Sequence, residues 1–220
     1  MNASEKLPVA VRGLEIRDFD AVERLSKEVY PYDIPWDSRF LSRHLGVFPE
    51  GQFVAVDPET EELVGYAATL IVDLTDIERM DSWDTVTDRG YFTTHNPAGD
   101  TLYAAEVIVD PACRGRGVGK AIYAARLAVL KRLGLKRIRA GARLRGYHVY
   151  QNELDPWQYV EKVVAGELND PTLTFQLKQG YEVIGVVPNY LHIDPASLGH
   201  AALIEWRPDR ETRDDSAIRG

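Results

Sequence analysis

The sequence has one cysteine, Cys113, and two methionines in 220 residues. A lone thiol closes no intramolecular disulfide, and no Cys/His cluster has zinc-ligand spacing, so a disulfide scaffold and a structural zinc are excluded and no metal is expected. Long apolar runs are also missing. The longest, Leu63 to Val72 and Ala121 to Leu130, are too short to span a bilayer, and Arg126 interrupts the second. Met1 to Ala10 lacks the basic start and apolar core of a secretory signal. There is no internal repeat and no low-complexity stretch. The expectation is a cytoplasmic chain in a reducing compartment with no membrane partner.

Acid is absent from one long stretch. Residues 111 to 152 hold 11 basic residues (Arg114, Arg116, Lys120, Arg126, Lys131, Arg132, Lys136, Arg137, Arg139, Arg143, Arg145) and no carboxylate. The rest of the chain has 15 basic residues against 34 acidic ones, so the formal charge of -8 is an average over two unlike parts. A net negative field repels polyanions, which argues against nucleic acid as a partner. The acid-free stretch points to a local site for an anion.

With 45% hydrophobic and 27% charged residues, a sizeable core is available. Val9 to Ile16 reads as a strand, followed by a helix to Tyr30 that Asp18 or Asp20 can cap. A second helix is expected from Asp37 to Leu45. Phe53 to Val56 and Leu63 to Val72 read as a hairpin around Asp57-Pro58-Glu59-Thr60. Residues 73 to 100 break the pattern with seven acids (Asp73, Asp76, Glu78, Asp81, Asp84, Asp88, Asp100) and three large aromatics. This insertion reads either as a solvated flap or as a cover over a site. Leu102 to Val109 is a strand, Lys120 to Leu133 a helix ended by Gly134, and Arg137 to Leu144 a strand. Two further helices, Trp157 to Glu167 and a Pro171-initiated one through Gln179, precede strands Val183 to Val187 and His200 to Trp206. The fold class is therefore α/β, a mixed sheet with helices on both faces. One domain is expected over residues 1–207, with a loose tail at 208–220.

The chemistry concentrates where a strand meets a glycine-rich turn and a helix leaves it, in Val107-Ile108-Val109-Asp110-Pro111-Ala112-Cys113-Arg114-Gly115-Arg116-Gly117-Val118-Gly119-Lys120. Glycines let a ligand approach the backbone, and N–H groups at the helix start converge on a phosphate. The Walker pattern fails because Ala121 follows Lys120 where a magnesium-binding hydroxyl is needed. The dinucleotide fingerprint fails because its third glycine comes one residue early. Arg-x-x-Gly-x-Gly fits, as Arg114 to Gly119.

That motif resembles the acetyl-CoA loop of the GNAT superfamily of N-acetyltransferases. Asn169 and Gly180-Tyr181 match the family's later Asn and Gly-Phe positions, and the element order matches from residue 9 to 207. Gly141 to His148 and Asp170 to Leu177 further resemble the GNAT domain sometimes fused to a carbon-nitrogen hydrolase, for which 220 residues leave no room. The resemblance implies a mostly antiparallel mixed sheet of about seven strands. It also implies transfer of an acetyl group from acetyl-CoA to an amine by direct attack in a ternary complex. A GNAT fold that binds acyl-CoA without turnover is the alternative.

On this resemblance, Gly115, Gly117, Val118, Gly119 and Lys120 hold the diphosphate with Arg114 and Arg116. Val107, Ile108 and Val109 run beside the pantetheine arm, and Asn169 completes the cofactor set. Amine acetylation needs a base, an oxyanion site and an exit for the thiolate. Glu106 is the candidate base, and Tyr147 and His148 are further catalytic candidates. The position that often supplies a tyrosine acid is Gln176, which donates no proton in that sense. Tyr147, Tyr150 and Tyr190 are the stand-ins. Cys113 as a covalent nucleophile is disfavoured, because no His and carboxylate are placed beside it. The acceptor is expected to be a small-molecule or peptide amine, cationic if the acidic insertion faces it, and a homodimer is allowed.

Overall fold

The apolar runs become one seven-stranded sheet in a computed structural model that describes residues 8–31, 33–73, 82–191 and 194–208. The strands are β1 (Ala10–Gly13), β2 (Gln52–Val56), β3 (Leu63–Val72), β4 (Thr101–Val109), β5 (Arg137–Arg143), β6 (Glu182–Val187) and β7 (Ala201–Trp206), in the spatial order β1-β2-β3-β4-β5-β7-β6. Every neighbouring pair is antiparallel except β4 and β5. That parallel pair needs a crossover, and the helix after the glycine-rich turn supplies it. The helices are α1 (Phe19–Val29), α2 (Ser38–Val47), α3 (Trp83–Thr87), α4 (Val118–Leu133), α5 (Pro156–Val164) and α6 (Leu173–Leu177).

Strand alternation divides the core in two. On one face Ala67, Leu102, Ile138, Ala140, Ala142 and Ile204 pack with α4, α5 and α6. On the other, Tyr66, Ala68, Leu70, Tyr103, Ile108 and Leu203 pack with α1 and α2.

Several element boundaries differ from the sequence reading. The first strand is only Ala10–Gly13, because a 3-10 turn at Ile16–Asp18 takes its end. Asp18 stands at the α1 start without capping it, since its carboxylate is clamped by Arg12 at 2.7 and 2.8 Å. Asp37 does cap α2, accepting from Arg39 N–H. The last helix is shortened to Leu173–Leu177. Asp170 nevertheless accepts from the N–H groups of Thr172, Leu173 and Gly146 and from the Tyr159 hydroxyl, from a fully buried position.

Asp76, Glu78 and Asp81 of the acidic insertion, residues 1–7 and residues 209–220 lie outside the described residues. Residues 82 to 100 are folded against the core, with Val86, Thr87 and Phe92 buried. Phe92 is held at φ 57 and stacks on His44 at 3.8 Å, a backbone cost that only a packed ring repays. His44 in turn spans Tyr66 and the Gly90 carbonyl, so this part of the insertion is not a solvated flap.

Candidate active site

The glycine-rich turn follows β4 through a short 3-10 turn at Pro111–Cys113, capped by Asp110. Gly115 and Gly117 take φ 74 and 100, values an L side chain rarely adopts, and a Cβ at either would meet open space. The glycines are there for conformation and approach, not to avoid a clash within the fold. Gly117 begins α4 with no side-chain cap, and its carbonyl accepts from Ala121. Among the described residues nothing accepts the N–H protons of Val118, Gly119 and Lys120. Gly119 lies under the Phe175 ring, 3.1 Å from where its Cβ would be, so it permits close helix packing. Arg114, Gly115, Gly117 and Lys120 are exposed, and Arg116 is half-buried. Open N–H groups at a helix start, positive charge and no side-chain cover make a cradle that fits a diphosphate.

The cradle opens onto a gap in the sheet. β4 and β5 pair only from Thr101 to Tyr103, against Arg137 to Arg139, although β4 continues to Val109. A bulge between Ala68 and Thr69 in the β3 pairing leaves Ala105 as an extra residue and bends β4 at that point. The Asp110 N–H bonds back to Val64, which sets the strand parity. Ile108 and Asp110 direct their amides to β3, and Val107 and Val109 direct theirs to the gap side, where the Glu106 carboxylate takes the Val107 N–H. Ile108 itself is buried against the α1/α2 face. A free strand edge of this length fits the amide-bearing arm of CoA as an added strand fits a sheet.

Glu106 sits at the bulge. Its carboxylate accepts from Tyr30 Oη at 3.2 Å, Trp36 Nε1 at 3.1 Å and the Val107 N–H at 2.8 Å. Burial pushes the carboxyl above its usual range, only partly offset by the Trp36 and Val107 hydrogen bonds, the nearby Arg143 charge and Tyr30. Arg143, from β5, forms a bidentate pair with Asp194 at 2.6 and 2.7 Å and lies 5.1 Å from the Tyr30 ring centre. Trp83, from the insertion, donates to the Ala105 carbonyl at 3.0 Å and meets Trp36 edge-on at 6.0 Å. The result is a carboxylate held by Tyr30 and Trp36, with Trp83 against Trp36.

The other sequence candidates lie elsewhere. Tyr147 donates its hydroxyl to the Leu154 carbonyl at 3.0 Å and packs against Tyr159 and His200. His148 is exposed, its Nδ1 within 3.1 Å of the Arg145 and Ala196 carbonyls. Neither joins Glu106. Tyr150 packs on Tyr159, and Tyr190 shares a hydrogen bond with Tyr103 beneath Gly141. Asn169 is exposed beside the Asp170 cap. Cys113 is half-buried, and burial followed by the Asp110 charge pushes its thiol up, which opposes use as a nucleophile.

Sequence reasoning gave no role to Tyr30, Trp36, Trp83 and the Arg143–Asp194 pair around Glu106. It also missed a cluster on the α4 side of the gap. Arg126 is 2% exposed and donates to the Glu106 carbonyl oxygen. Its guanidinium carbon lies 5.3 Å from the Tyr123 ring centre, and Gln176 Nε2 donates to Tyr123 Oη at 3.0 Å. The one legible signal was Arg126 itself, a charge inside an apolar helix stripe.

A mixed sheet opened between its two parallel strands, with a glycine-rich helix start at the mouth and a buried carboxylate at depth, is an acyltransferase fold. The model of the acetyltransferase (GNAT) family matches residues 14–155, and the chain belongs to that family. The probable hydrolase YhcX of Bacillus subtilis (strain 168) is 39% identical over 199 residues, covering 90% of this chain. The chain spans only 38% of YhcX. The uncharacterized N-acetyltransferase YkwB of the same organism is 32% identical over 203 residues, covering 90% of this chain and 88% of that protein. Among solved structures, the GphF GNAT-like decarboxylase in complex with isobutyryl-CoA has a TM-score of 0.75 at 20% identity, covering 90% of this chain and 98% of that one, which shows the shared fold. Among the described residues no helix is long and apolar enough to cross a membrane, and no group of His, Cys, Asp and Glu forms a metal site.

Proposed function

We propose that the protein is an acetyl-CoA-dependent N-acetyltransferase acting on a cationic amine by direct attack. The observation that carries this reading is Glu106 at the bulge of β4, where the free strand edge from the cradle ends. When bound, the CoA thioester supplies the acyl carbon that the amine attacks. Gly115 to Lys120 hold its phosphates, with Arg114 and Arg116 adding charge. The Val107 carbonyl and the main-chain groups of Val109 face the arm, the Val107 N–H being taken by Glu106. Glu106, raised by burial, takes the proton that the attacking nitrogen must lose. Tyr30 and Trp36 hold the carboxylate in place, and the aromatic wall favours a cation on arrival. The acids of the insertion add long-range attraction for the same charge.

The test combines ligand-induced stabilisation with thiol release. Acetyl-CoA is expected to raise the melting temperature while an oligonucleotide does not, and polyamines and amine-bearing peptides are expected to release thiol faster than neutral acceptors. Without stabilisation by acetyl-CoA the reading fails. Stabilisation with no thiol release across the amine panel would make the protein a binding module.

A further inference from the structure

Arg126 is a buried cation with no carboxylate within ion-pair distance among the described residues. Its contacts are the Glu106 carbonyl and Tyr123, and its Nε is buried without a hydrogen-bond partner. Buried charges are ordinarily paired, as Arg139 on β5 is with Glu205 at 2.6 Å. A second group beside Arg126 is also incomplete. Tyr123 Oη accepts from Gln176, which leaves its own proton without an acceptor among the described residues, and Gln176 Oε1 is buried and unpartnered. Phe175 and Tyr181 close the far side of the ring at 5.3 and 5.7 Å and bring no charge. Such a cluster is organised for an anion and a proton acceptor that the protein does not itself provide.

Its depth matches the reacting end of the gap. From Val118 to Arg126, α4 rises about 12 Å. From Asp110 to Glu106, β4 extends about 13 Å. Both elements leave the cradle and reach the same level, where Arg126 touches Glu106.

We infer that Tyr123 and Arg126 receive the sulfur that departs in the transfer: Tyr123 Oη protonates it, and Arg126 holds the negative charge that passes between them. This rests on the acetyl-CoA reading above. As nitrogen bonds to the acyl carbon, the carbon–sulfur bond breaks and its electron pair stays on sulfur. The Tyr123 proton moves to that sulfur, giving a neutral thiol. The phenolate left behind is held by Arg126 and by the Gln176 Nε2 donor. The proton that Glu106 took from the amine returns to Tyr123 through solvent, so no further reactant is needed. The acid therefore comes from α4, and Gln176 on α6 is a positioning residue.

The inference is tested by comparing CoA with desulfo-CoA in calorimetry at neutral pH, alongside steady-state kinetics. CoA is expected to bind about tenfold more tightly than desulfo-CoA, because only CoA places a sulfur within reach of the Tyr123 hydroxyl and the Arg126 guanidinium. Arg126→Met is expected to erase that preference while keeping desulfo-CoA affinity, which also shows that the variant is folded; Arg126→Lys keeps part of it. Tyr123→Phe is expected to lower kcat by about tenfold to a hundredfold with KM for acetyl-CoA within about twofold. Equal binding of CoA and desulfo-CoA by the wild-type protein, with kcat of Tyr123→Phe within twofold of wild type, overturns the inference and leaves the cofactor reading intact. If neither ligand binds, the cofactor reading itself falls and takes the inference with it.

Discussion

A carboxylate that must lose a proton to act is useful only where its titration lies, and at Glu106 burial sets that point. The raised carboxyl predicts an acid limb in kcat/KM at a pH above the ordinary glutamate range, activity rising as Glu106 ionises. Glu106→Gln is expected to lower kcat by about a hundredfold and remove that limb, read from a pH–rate profile. His44 gives a separate stability prediction. Burial holds its ring down, to about 4 against an unfolded value of 6.5, with the Gly90 carbonyl opposing. The unfolded state therefore binds the proton first, and stability present above pH 6.5 is lost as pH falls toward 4. The linkage is worth about 3 kcal/mol. Denaturant titrations of wild type and His44→Gln should show the variant less stable at neutral pH and flatter through this window. His95 and His200 are shifted down by burial in both proteins, so the difference isolates His44. Glu106 was singled out through the family resemblance, which carries an acid at this depth of the strand. The contacts of Tyr147 and His148 were not legible, since their partners are the carbonyls of Leu154, Arg145 and Ala196, which no side-chain spacing encodes.

At the level of elements, the turn and α4 act as one unit. Gly117 at φ 100 sets the direction of the first helical N–H groups, so its conformation shapes the proposed anion site. Gly117→Ala is expected to cost about 1 kcal/mol in stability and at least about tenfold in CoA affinity, measured by thermal unfolding and calorimetry. A loss confined to stability would separate the turn from the cofactor. The helix and its cradle were readable from glycine spacing and from Gly134, which ends α4 in the left-handed conformation. The gap was not readable, because β4 and β5 each look complete as strands and only their pairing stops at Tyr103. The bulge at Ala105 also leaves no trace in an apolar run. Asp170 accepts from the N–H groups that open α6, and its bonds to Gly146 and Tyr159 tie the β5 exit to α5 and α6 as well.

Across the whole molecule, the basic stretch that stood out in the sequence separates by partner. Arg139 and Arg143 are spent on Glu205 and Asp194, Lys136 and Arg137 on Asp100, and Arg132 on Glu50. These acids come from β7, the loop before it, and the segments preceding β4 and β2, so the fold neutralises the stretch with residues distant in sequence. Arg114 and Lys120, exposed at the cradle, have no ion pair among the described residues. A charge count sees eleven equivalent cations, whereas the structure leaves the two at the loop available to a phosphate. Exposed charges act through screened fields, so their share of binding must weaken with salt. Arg114→Ala with Lys120→Ala is therefore expected to lower CoA affinity about tenfold at low ionic strength and to flatten its decline with added salt. Arg132→Ala with Lys136→Ala removes the same formal charge from pairs remote from the cradle and should change affinity by less than about twofold. Calorimetry across a salt series separates the two pairs. Equal losses from both would mean that the basic stretch attracts CoA by its overall field, and that the cradle holds no privileged charge.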